Sequence, residues 1–407
     1  MVTALLAGVK GGQWHTLIDK VMAPRTLRAA WTDVQANHGA AGVDHVTIAQ
    51  FGTHLEAHLT QLSEQLRTNT YRPQPVRRVF IEKPGSREPR PLGIPTVRDR
   101  VVQAALRKVL EPIFERDVAA HSYGFRPNRS CKDALRRVQT LLDAGYTWIV
   151  DADVQHYFDT IPHAGLRGLV RKKVADSRVL GLLDAFLTHA VFDTLASWTP
   201  EQGTPQGAVI SPLLSNIYLD PLDHLMATHQ VEMVRYADDL VLLCRSESDA
   251  HAALGLLQTW TTDAALRLHP EKTRIVDATQ RGGFDFLGYH FERGYRWPRT
   301  KSLKKLKDTL RTHTRRTNGT SLAAIVATVN LVLRGWFAYF RHSHFTTFAP
   351  LDQWLRMRLR SILRKRHGRR GRGRGSDHIR WPNAFFTAAG LVSLVDAYAA
   401  ARHPSSR

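Results

Sequence analysis

Two adjacent acids, Asp238 and Asp239, are the residues of this chain whose types and setting point most directly to chemistry. They end the sequence YADD at 236–239, between apolar runs at 231–234 and 240–243, and this pattern predicts a β-hairpin with a polar turn. Neighbouring carboxylates repel each other and lose solvation, and a divalent cation such as Mg²⁺ offsets both costs. The hairpin therefore predicts a two-metal phosphoryl-transfer site, although a pair of acids on a turn is also an ordinary surface feature.

A second strand that carries an acid is expected, because two-metal sites clamp their ions between carboxylates of separate strands. The apolar run at 147–154 predicts such a strand, and it carries both Asp151 and Asp153. Residues two apart on a strand point to the same face, so the spacing does not separate these two acids. Either of them could complete the site with Asp238 and Asp239.

The rest of the chain predicts the elements that must position these acids. Leucines at spacings of three and four predict helices within residues 1–70, and alternation predicts a strand at 76–81. Three further helices are predicted at 99–113, 209–225 and 249–266, one further strand is predicted at 284–289, and a loop is predicted at 203–207. Helices and strands mix without a regular βαβ period, so we predict an α+β fold.

The positive charge is concentrated in one part of the chain. The 407 residues carry a formal net charge of +21, and residues 291–407, with 25 Lys+Arg and 5 Asp+Glu, hold +20 of it. Such a block predicts binding to a polyanion, with nucleic acid as the first candidate and a solubilising or membrane-surface face as the alternative. Basic helices with an apolar stripe are predicted beyond residue 300, and the Arg/Gly-rich segment 364–375 predicts a mobile RNA-contacting loop.

Cysteine usage and hydropathy narrow the class of protein. Cys131 and Cys244 are the only cysteines, and they support neither a disulfide framework nor a zinc site. No uninterrupted apolar run approaches about 18 residues, and residues 1–14 lack a basic region, so we expect no transmembrane helix and no signal peptide. These features predict a cytoplasmic protein.

The order of the motifs resembles that of bacterial group II intron reverse transcriptases, which are also called intron-encoded maturases. The matching segments are RPLGIPT at 90–96, SYGFRP at 122–127, DVQHYFD at 153–159, TPQG at 204–207 with SPLLSN at 211–216, YADD at 236–239, LHPEKT at 268–273, FLG at 286–288 and GWFAYF at 335–340. The resemblance covers nearly the whole chain. It implies a right-hand polymerase, with fingers and a palm built on an antiparallel sheet, followed by a basic α-helical thumb, or X, domain.

The resemblance also implies domain boundaries. An N-terminal helical extension is expected at 1–70, the fingers and palm at 71–290, and the thumb, which would bind RNA, at 291–407. Many relatives carry an HNH-type endonuclease after the thumb. That module needs paired Cys and His ligands, and no cysteine follows Cys244, so we expect no endonuclease here.

The alignment of the motifs with those of the family implies which residues are catalytic. Asp153 would be the motif A metal ligand, because it lies five residues before the aromatic residue that walls the sugar pocket. Together with Asp238, Asp239 and the carbonyl of Val154 it would hold two Mg²⁺ ions, with Mn²⁺ as an alternative. Phe158 is that aromatic residue and would exclude a 2′-hydroxyl, so that dNTPs are the substrates; a core aromatic is the alternative interpretation.

The resemblance implies five further contacts with substrate. Lys83 and Arg90 would hold the triphosphate, although the turn between them is one residue longer than is common. Gln206 and Gly207 would pack against the templating base and the nascent pair. Lys272 would approach the triphosphate and assist protonation of the leaving group. For the three basic residues a solvated charge is the alternative.

The function implied by the resemblance is that of an RNA-directed DNA polymerase, which extends a primer 3′-hydroxyl with dNTPs on an RNA template. Its expected partners are group II intron RNA, a DNA primer or target and dNTPs, with no membrane. Two alternatives stay open. One is an RNA-binding maturase that promotes splicing, with polymerisation secondary; the other is a domesticated relative that serves DNA repair or antiviral defence.

Overall fold

The structure of the protein is a computed structural model. It describes residues 5, 8, 12–81, 89–188, 191–193, 196–198, 202–204 and 207–402, with the backbone alone at Arg90, 191–193 and 196–198. The chain divides into two compact units, residues 1–275 and 276–407. The domain boundaries predicted after residues 70 and 290 stay predictions.

The first unit begins with helices, as predicted for residues 1–70. Its helices are α1 Ile18–Val21, α2 Pro24–Ala36, α3 Ile48–Thr53, α4 Leu55–Arg67, α5 Val97–Glu115, α6 Cys131–Asp143, α7 Tyr157–Thr160, α8 His163–Arg171, α9 Ser177–Leu187, α10 Ser211–Thr228 and α11 Glu247–Asp263. Helix α5 is central, because its side chains are buried along most of its length and α1, α2, α3 and α4 all pack against it. Thr96 caps α5 by accepting a hydrogen bond from the amide of Asp99.

The first unit also contains two four-stranded sheets. Their strands are β1 Val76–Ile81, β2 Arg90–Ile94, β3 Trp148–Asp153, β4 Val191–Asp193, β5 Ala196–Trp198, β6 Glu232–Tyr236, β7 Asp239–Cys244 and β8 Arg274–Asp277, of which the last runs past the boundary of the unit. One sheet has the order β2-β1-β4-β5, and the other has the order β6-β7-β3-β8.

The second of these sheets contains both predicted acidic strands. Strands β6 and β7 form the predicted hairpin, whose turn consists of Ala237, at a φ of +60°, and Asp238. Residues 240–244 of β7 are all buried. A strand this apolar needs cover on both faces, and helix α11 packs against β3 and β7, while α6 and α10 pack against β6. The packed helices thus hold the palm-like sheet in place, and the polar turn at 237–238 lies at one end of strands β6 and β7.

The second unit combines a small sheet with helices. Its strands are β9 Phe284–Phe286, β10 Tyr289–Glu292 and β11 Tyr295–Pro298, and its helices are α12 Thr300–His313, α13 Leu322–Phe340, α14 Phe348–Arg366, α15 Ser376–Arg380, α16 Asn383–Ala388 and α17 Leu394–Arg402. The single strand predicted at 284–289 is wrong. Leu287 and Gly288 have φ values of +46° and +85°, so they form a two-residue turn between β9 and β10.

Helix α13 has the length and composition of a membrane-crossing helix. It has 19 residues and a mean hydropathy of 1.5 in its most apolar window, of which 28% is buried. Its apolar stripe, Ile325, Val326, Val329 and Leu333, lies in one core cluster with residues of α12 and α14. Packing within this unit therefore accounts for these four residues of the stripe.

The Arg/Gly-rich segment 364–375 is a loop over residues 367–375, as predicted. Its first three residues form the last turn of α14. The Arg364 guanidinium lies 2.5 Å from the buried carboxylate of Asp377, and the backbone amide of Arg374 donates to the same carboxylate at 2.9 Å. Both ends of the segment are therefore hydrogen-bonded to the buried carboxylate of Asp377.

Candidate active site

Antiparallel pairing brings two of the predicted acids together. Strands β3 and β7 are neighbours, in a register that sets Asp153 directly opposite Asp239. Directly opposite residues share one face of a sheet, and Asp238 precedes Asp239 in the turn. Asp151 lies opposite the apolar Val241 instead. Of the two acids that the strand pattern left open, Asp153 is the one aligned with the hairpin acids.

Two cations face the acids of β3. The ammonium of Lys272 lies 2.6 Å from a carboxylate oxygen of Asp153, and the guanidinium Nε of Arg274 lies 3.4 Å from Asp151. The segment that carries Lys272 is joined to the end of β3, because the His269 amide donates to the Asp153 carbonyl at 2.7 Å. The side chains of Lys272 and Asp153 are 56% and 42% exposed, so another cation can reach the carboxylate.

The chemistry of these donors fits a hard divalent cation. Mg²⁺ prefers carboxylate oxygens and is usually bound through one or two carboxylates plus substrate phosphates, without a cage made only of protein ligands. The aligned pair Asp153 and Asp239 supplies such oxygens, and an ammonium already contacts one of them. Among the residues that the structure describes, no three His, Cys, Asp or Glu side chains converge as a preformed metal cluster.

A buried arginine supports the acidic turn. Arg235 has no exposed side-chain surface, and its Nε and Nη2 atoms donate to the two carboxylate oxygens of Asp223 in α10. Its Nη1 donates to the carbonyl of Ala237 at 2.9 Å and to Asn216 at 3.0 Å. Burial lowers the pKa of Arg235, but the charge and hydrogen bonds of Asp223 outweigh burial and raise it above its ordinary value. The guanidinium is therefore a permanent donor to the turn.

A glycine of the SYGFRP segment packs against the same turn. A Cβ atom on Gly124 would lie 2.2 Å from the Ala237 nitrogen, so only glycine fits there. Its carbonyl accepts a hydrogen bond from Asn216 at 2.8 Å. The hydroxyl of Tyr236 contacts the Cys131 thiol, and this hydrogen bond together with burial raises the pKa of Tyr236 to about 12. The turn is thus held from three sides, by α10, by residue 124 and by α6.

Phe158 lies in α7, directly after β3 and its turn. Its ring is half-buried, and it packs edge-on to Tyr157 at a centroid distance of 5.4 Å. Its carbonyl accepts a hydrogen bond from the amide of Thr204 at 2.6 Å, and the carbonyl of Gly203 contacts the buried His163 at 2.6 Å. The start of the TPQG segment is therefore attached to the helix of the proposed sugar wall.

The other predicted substrate contacts are described less completely. Lys83 and Gln206 lie outside the described residues, and only the backbone of Arg90, at the start of β2, is described. Gly207 has a φ of +104°, and a Cβ atom there would lie 2.5 Å from the Gly93 carbonyl. The close approach that Gly207 permits in this structure is to strand β2. Contact of Gly207 with a base pair stays a prediction.

Four residues that support the site had no role predicted from the sequence. Gly124 and Asn216 lie inside the matching segments SYGFRP and SPLLSN, whereas Asp223 and Arg235 lie outside every such segment. No spacing rule predicts that a strand arginine pairs with an acid twelve residues earlier. One signal was present, because an arginine inside the apolar run of β6 needs a buried partner.

Comparisons with known proteins identify the family of this chain. The family described as reverse transcriptase (RNA-dependent DNA polymerase) matches residues 81–291, and the group II intron maturase-specific domain matches residues 303–380. The chain belongs to the group II intron reverse transcriptase/maturase family. It contains a reverse transcriptase domain that is followed by a helical maturase domain, in a mixed α and β fold. The sequence prediction of this family is confirmed.

The matched region makes up different shares of the individual relatives. The chain is 33% identical to Protein YkfC of Escherichia coli over 68% of this chain and 83% of that protein. It is 35% identical to the group II intron-encoded protein LtrA of Lactococcus lactis, over 54% of this chain and only 37% of LtrA. A solved structure, described as a partial Cas6-RT-Cas1–Cas2 complex, is 24% identical with a TM-score of 0.36, covering 61% of this chain and 42% of that chain.

Proposed function

We propose that this protein is an RNA-directed DNA polymerase of the group II intron type, which adds dNTPs to a primer 3′-hydroxyl on an RNA template. The observation that carries the proposal is the alignment of Asp153 with Asp239, beside Asp238, within a reverse transcriptase domain. Carboxylates from two separate strands at one end of a buried sheet are the arrangement that nucleotidyl transfer needs.

The proposal gives each residue a defined task. Asp153, Asp238 and Asp239, with the Val154 carbonyl, would hold two Mg²⁺ ions, or Mn²⁺ in their place. The metal, when bound, supplies charge stabilisation for attack of the 3′-hydroxyl on the α-phosphate. Phe158 excludes a 2′-hydroxyl.

The remaining assignments concern the nucleotide and its pair. Lys83 and Arg90 hold the triphosphate, and Gln206 and Gly207 contact the nascent base pair. Lys272 leaves Asp153 when a divalent cation and dNTP bind, and it then donates to the leaving pyrophosphate.

The wider proposal concerns architecture and partners. The fingers, palm and thumb would form a right hand around a primer–template duplex. The basic region 291–407, with a net charge of +20, would bind the RNA template and group II intron RNA through phosphate contacts. We propose that the protein acts in the cytoplasm, on a DNA primer or target.

A second candidate function is promotion of intron splicing. The match of residues 303–380 to a maturase-specific domain favours it. Polymerisation and splicing can coexist in one chain. A domesticated polymerase in DNA repair or antiviral defence is the third candidate, and the presence or absence of an intron ribozyme beside the gene separates it from the first two.

Primer extension by the purified full chain tests the proposed function. With oligo(dT) annealed to poly(rA), Mg²⁺ and dTTP, we expect extension that stops when the cation is chelated. Replacing dTTP by UTP should reduce extension strongly, because the sugar pocket is closed by Phe158. Absence of extension under Mg²⁺ and Mn²⁺, combined with promotion of splicing of an intron RNA, would replace the polymerase proposal by the maturase candidate.

A further inference from the structure

Four rings form a contiguous cluster on the small sheet of the second unit. Tyr295 and Trp297 of β11 lie 5.9 Å apart, and the His344 ring contacts them at 4.7 and 5.5 Å. Phe345 lies 4.4 Å from His344. Despite this clustering, Tyr295 is 55% exposed and Phe345 is 59% exposed. The cluster therefore leaves much of the Tyr295 and Phe345 side chains exposed to solvent.

Backbone hydrogen bonds hold the cluster in position. The His344 amide donates to the carbonyl of Arg296 at 2.7 Å, and the Arg296 Nε donates to the carbonyl of His342 at 3.0 Å. The turn between β10 and β11 has two residues, Arg293 and Gly294, with φ values of +51° and +76°. Since the strands and the 342–345 segment are joined in this way, little ordering cost is left for a ligand that stacks on the rings.

The charges beside the cluster indicate the class of ligand. Arg293 in the turn lies two residues before Tyr295 in the chain. Arg341, whose Nε donates to the His342 ring at 3.3 Å, lies four residues before Phe345. Both arginines are exposed and belong to the region whose net charge is +20. The neighbouring acids, Asp285 and Glu292, are engaged with His290 at 2.8 and 3.6 Å. Exposed rings flanked by arginines fit a nucleotide, whose base stacks on an aromatic face while its phosphate contacts a guanidinium.

We propose that Tyr295 and Phe345 form a stacking platform for an unpaired base of single-stranded nucleic acid, with Arg293 and Arg341 contacting the adjacent phosphates. The inference rests on the proposed function for the identity of the strand, since a polymerase handles a single strand of template or primer. It adds a binding site that is formed by residues of the second unit alone. Stacking tolerates any base, so the platform binds RNA and DNA strands alike.

Binding of labelled 12-nucleotide oligo(dT) and oligo(rU) to the full chain tests the platform. A variant with Tyr295→Ala and Phe345→Ala should bind at least about ten-fold more weakly, because base–aromatic stacking contributes substantially at each base. The changes Tyr295→Phe and Phe345→Tyr keep the rings and should restore binding. Ile379→Ala is the matched control, since Ile379 is 84% exposed in the same unit and lies outside the cluster; it should bind as the wild type does.

Salt dependence and abasic strands separate stacking from charge. Loss of the rings should leave the slope of log K against log salt unchanged, whereas Arg293→Gln should reduce it by about 0.7. An abasic oligonucleotide should bind the wild type and the double variant equally. Equal binding of oligo(dT) by wild type and double variant overturns the platform. A second result would also overturn the platform. If the wild type self-associates, and the double variant no longer self-associates but binds oligonucleotides with unchanged affinity, the rings bind a second copy of the chain.

The extension assay keeps this inference distinct from the proposed function. If the wild type extends primers and the double variant binds single strands normally, the platform fails and the polymerase stands. If the wild type does not extend primers but the double variant loses strand binding, the polymerase proposal fails and the platform stands as a nucleic-acid site.

Discussion

The support of the acidic turn by Arg235 leads to a quantitative prediction for Arg235→Met. Methionine keeps much of the volume but removes the guanidinium, and the Asp223 carboxylate, whose side chain is 2% exposed, loses its partner. Breaking a buried ion pair in this way costs about 3–5 kcal/mol. In a unit of this size each kcal/mol lowers the midpoint of thermal unfolding by about 2–4 °C, so we expect a decrease of about 6–20 °C.

The same change should reduce polymerisation beyond its effect on stability. The Ala237 carbonyl loses its 2.9 Å donor, and this residue holds the turn that presents Asp238. A misplacement of about 1 Å at a reacting centre lowers rates by about 100-fold, and we expect a loss of this order in the extension rate. Primer extension is measured well below the unfolding midpoints of both proteins, with dNTP incorporation per folded enzyme as the quantity compared.

A double variant separates the two effects. Arg235→Met with Asp223→Leu removes both charges, and replacement of a buried ion pair by apolar residues is often neutral for stability. We expect this variant to regain most of the unfolding midpoint while its extension rate stays low, because the donor to Ala237 is still missing. Recovery of both quantities would refute the reasoning, since Arg235 would then stabilise the fold without positioning the turn.

Three further predictions concern substrate and RNA contacts. Phe158→Ala should raise the ratio of rNTP to dNTP incorporation, and an unchanged ratio would make the ring a core residue. Lys272→Met should lower the Mg²⁺ concentration for half-maximal extension by up to about five-fold, because the exposed ion pair of Lys272 with Asp153 stabilises the metal-free state by up to about 1 kcal/mol. An unchanged Mg²⁺ dependence would show that Lys272 and Mg²⁺ do not compete for Asp153. Replacing the exposed Arg369, Arg370 and Arg372 by Gln should reduce the salt slope of single-stranded RNA binding by about 2, and an unchanged slope would leave the basic helices as the RNA surface.

The acidic hairpin and its partner strand were predictable from local pattern. Two apolar runs on either side of a polar turn define the hairpin without any distant contact. The predicted helices and strands of the first unit agree with the structure apart from their exact ends. The strand pattern could not choose between Asp151 and Asp153. The choice depends on register with β7, which is a property of two strands about 90 residues apart.

The supporting residues depend on tertiary contacts that a single sequence does not encode locally. Gly124 matters because the backbone of Ala237 passes within 2.2 Å of the position that its Cβ would take. Arg364 reads as part of a basic low-complexity run, but a buried acid thirteen residues later holds it in place. The turn at Leu287 escaped prediction because leucine rarely adopts a positive φ.

Incorporation of dTTP on oligo(dT)-primed poly(rA) by variants of the β3 and hairpin acids tests the central claim most directly. Asp153→Ala, Asp238→Ala and Asp239→Ala should each abolish incorporation while the thermal midpoint is retained, because removing one acid relieves repulsion in the metal-free protein. Asp151→Ala, on the same strand face but opposite Val241, is the matched control and should retain activity. An active Asp153→Ala enzyme together with an inactive Asp151→Ala enzyme would contradict the account.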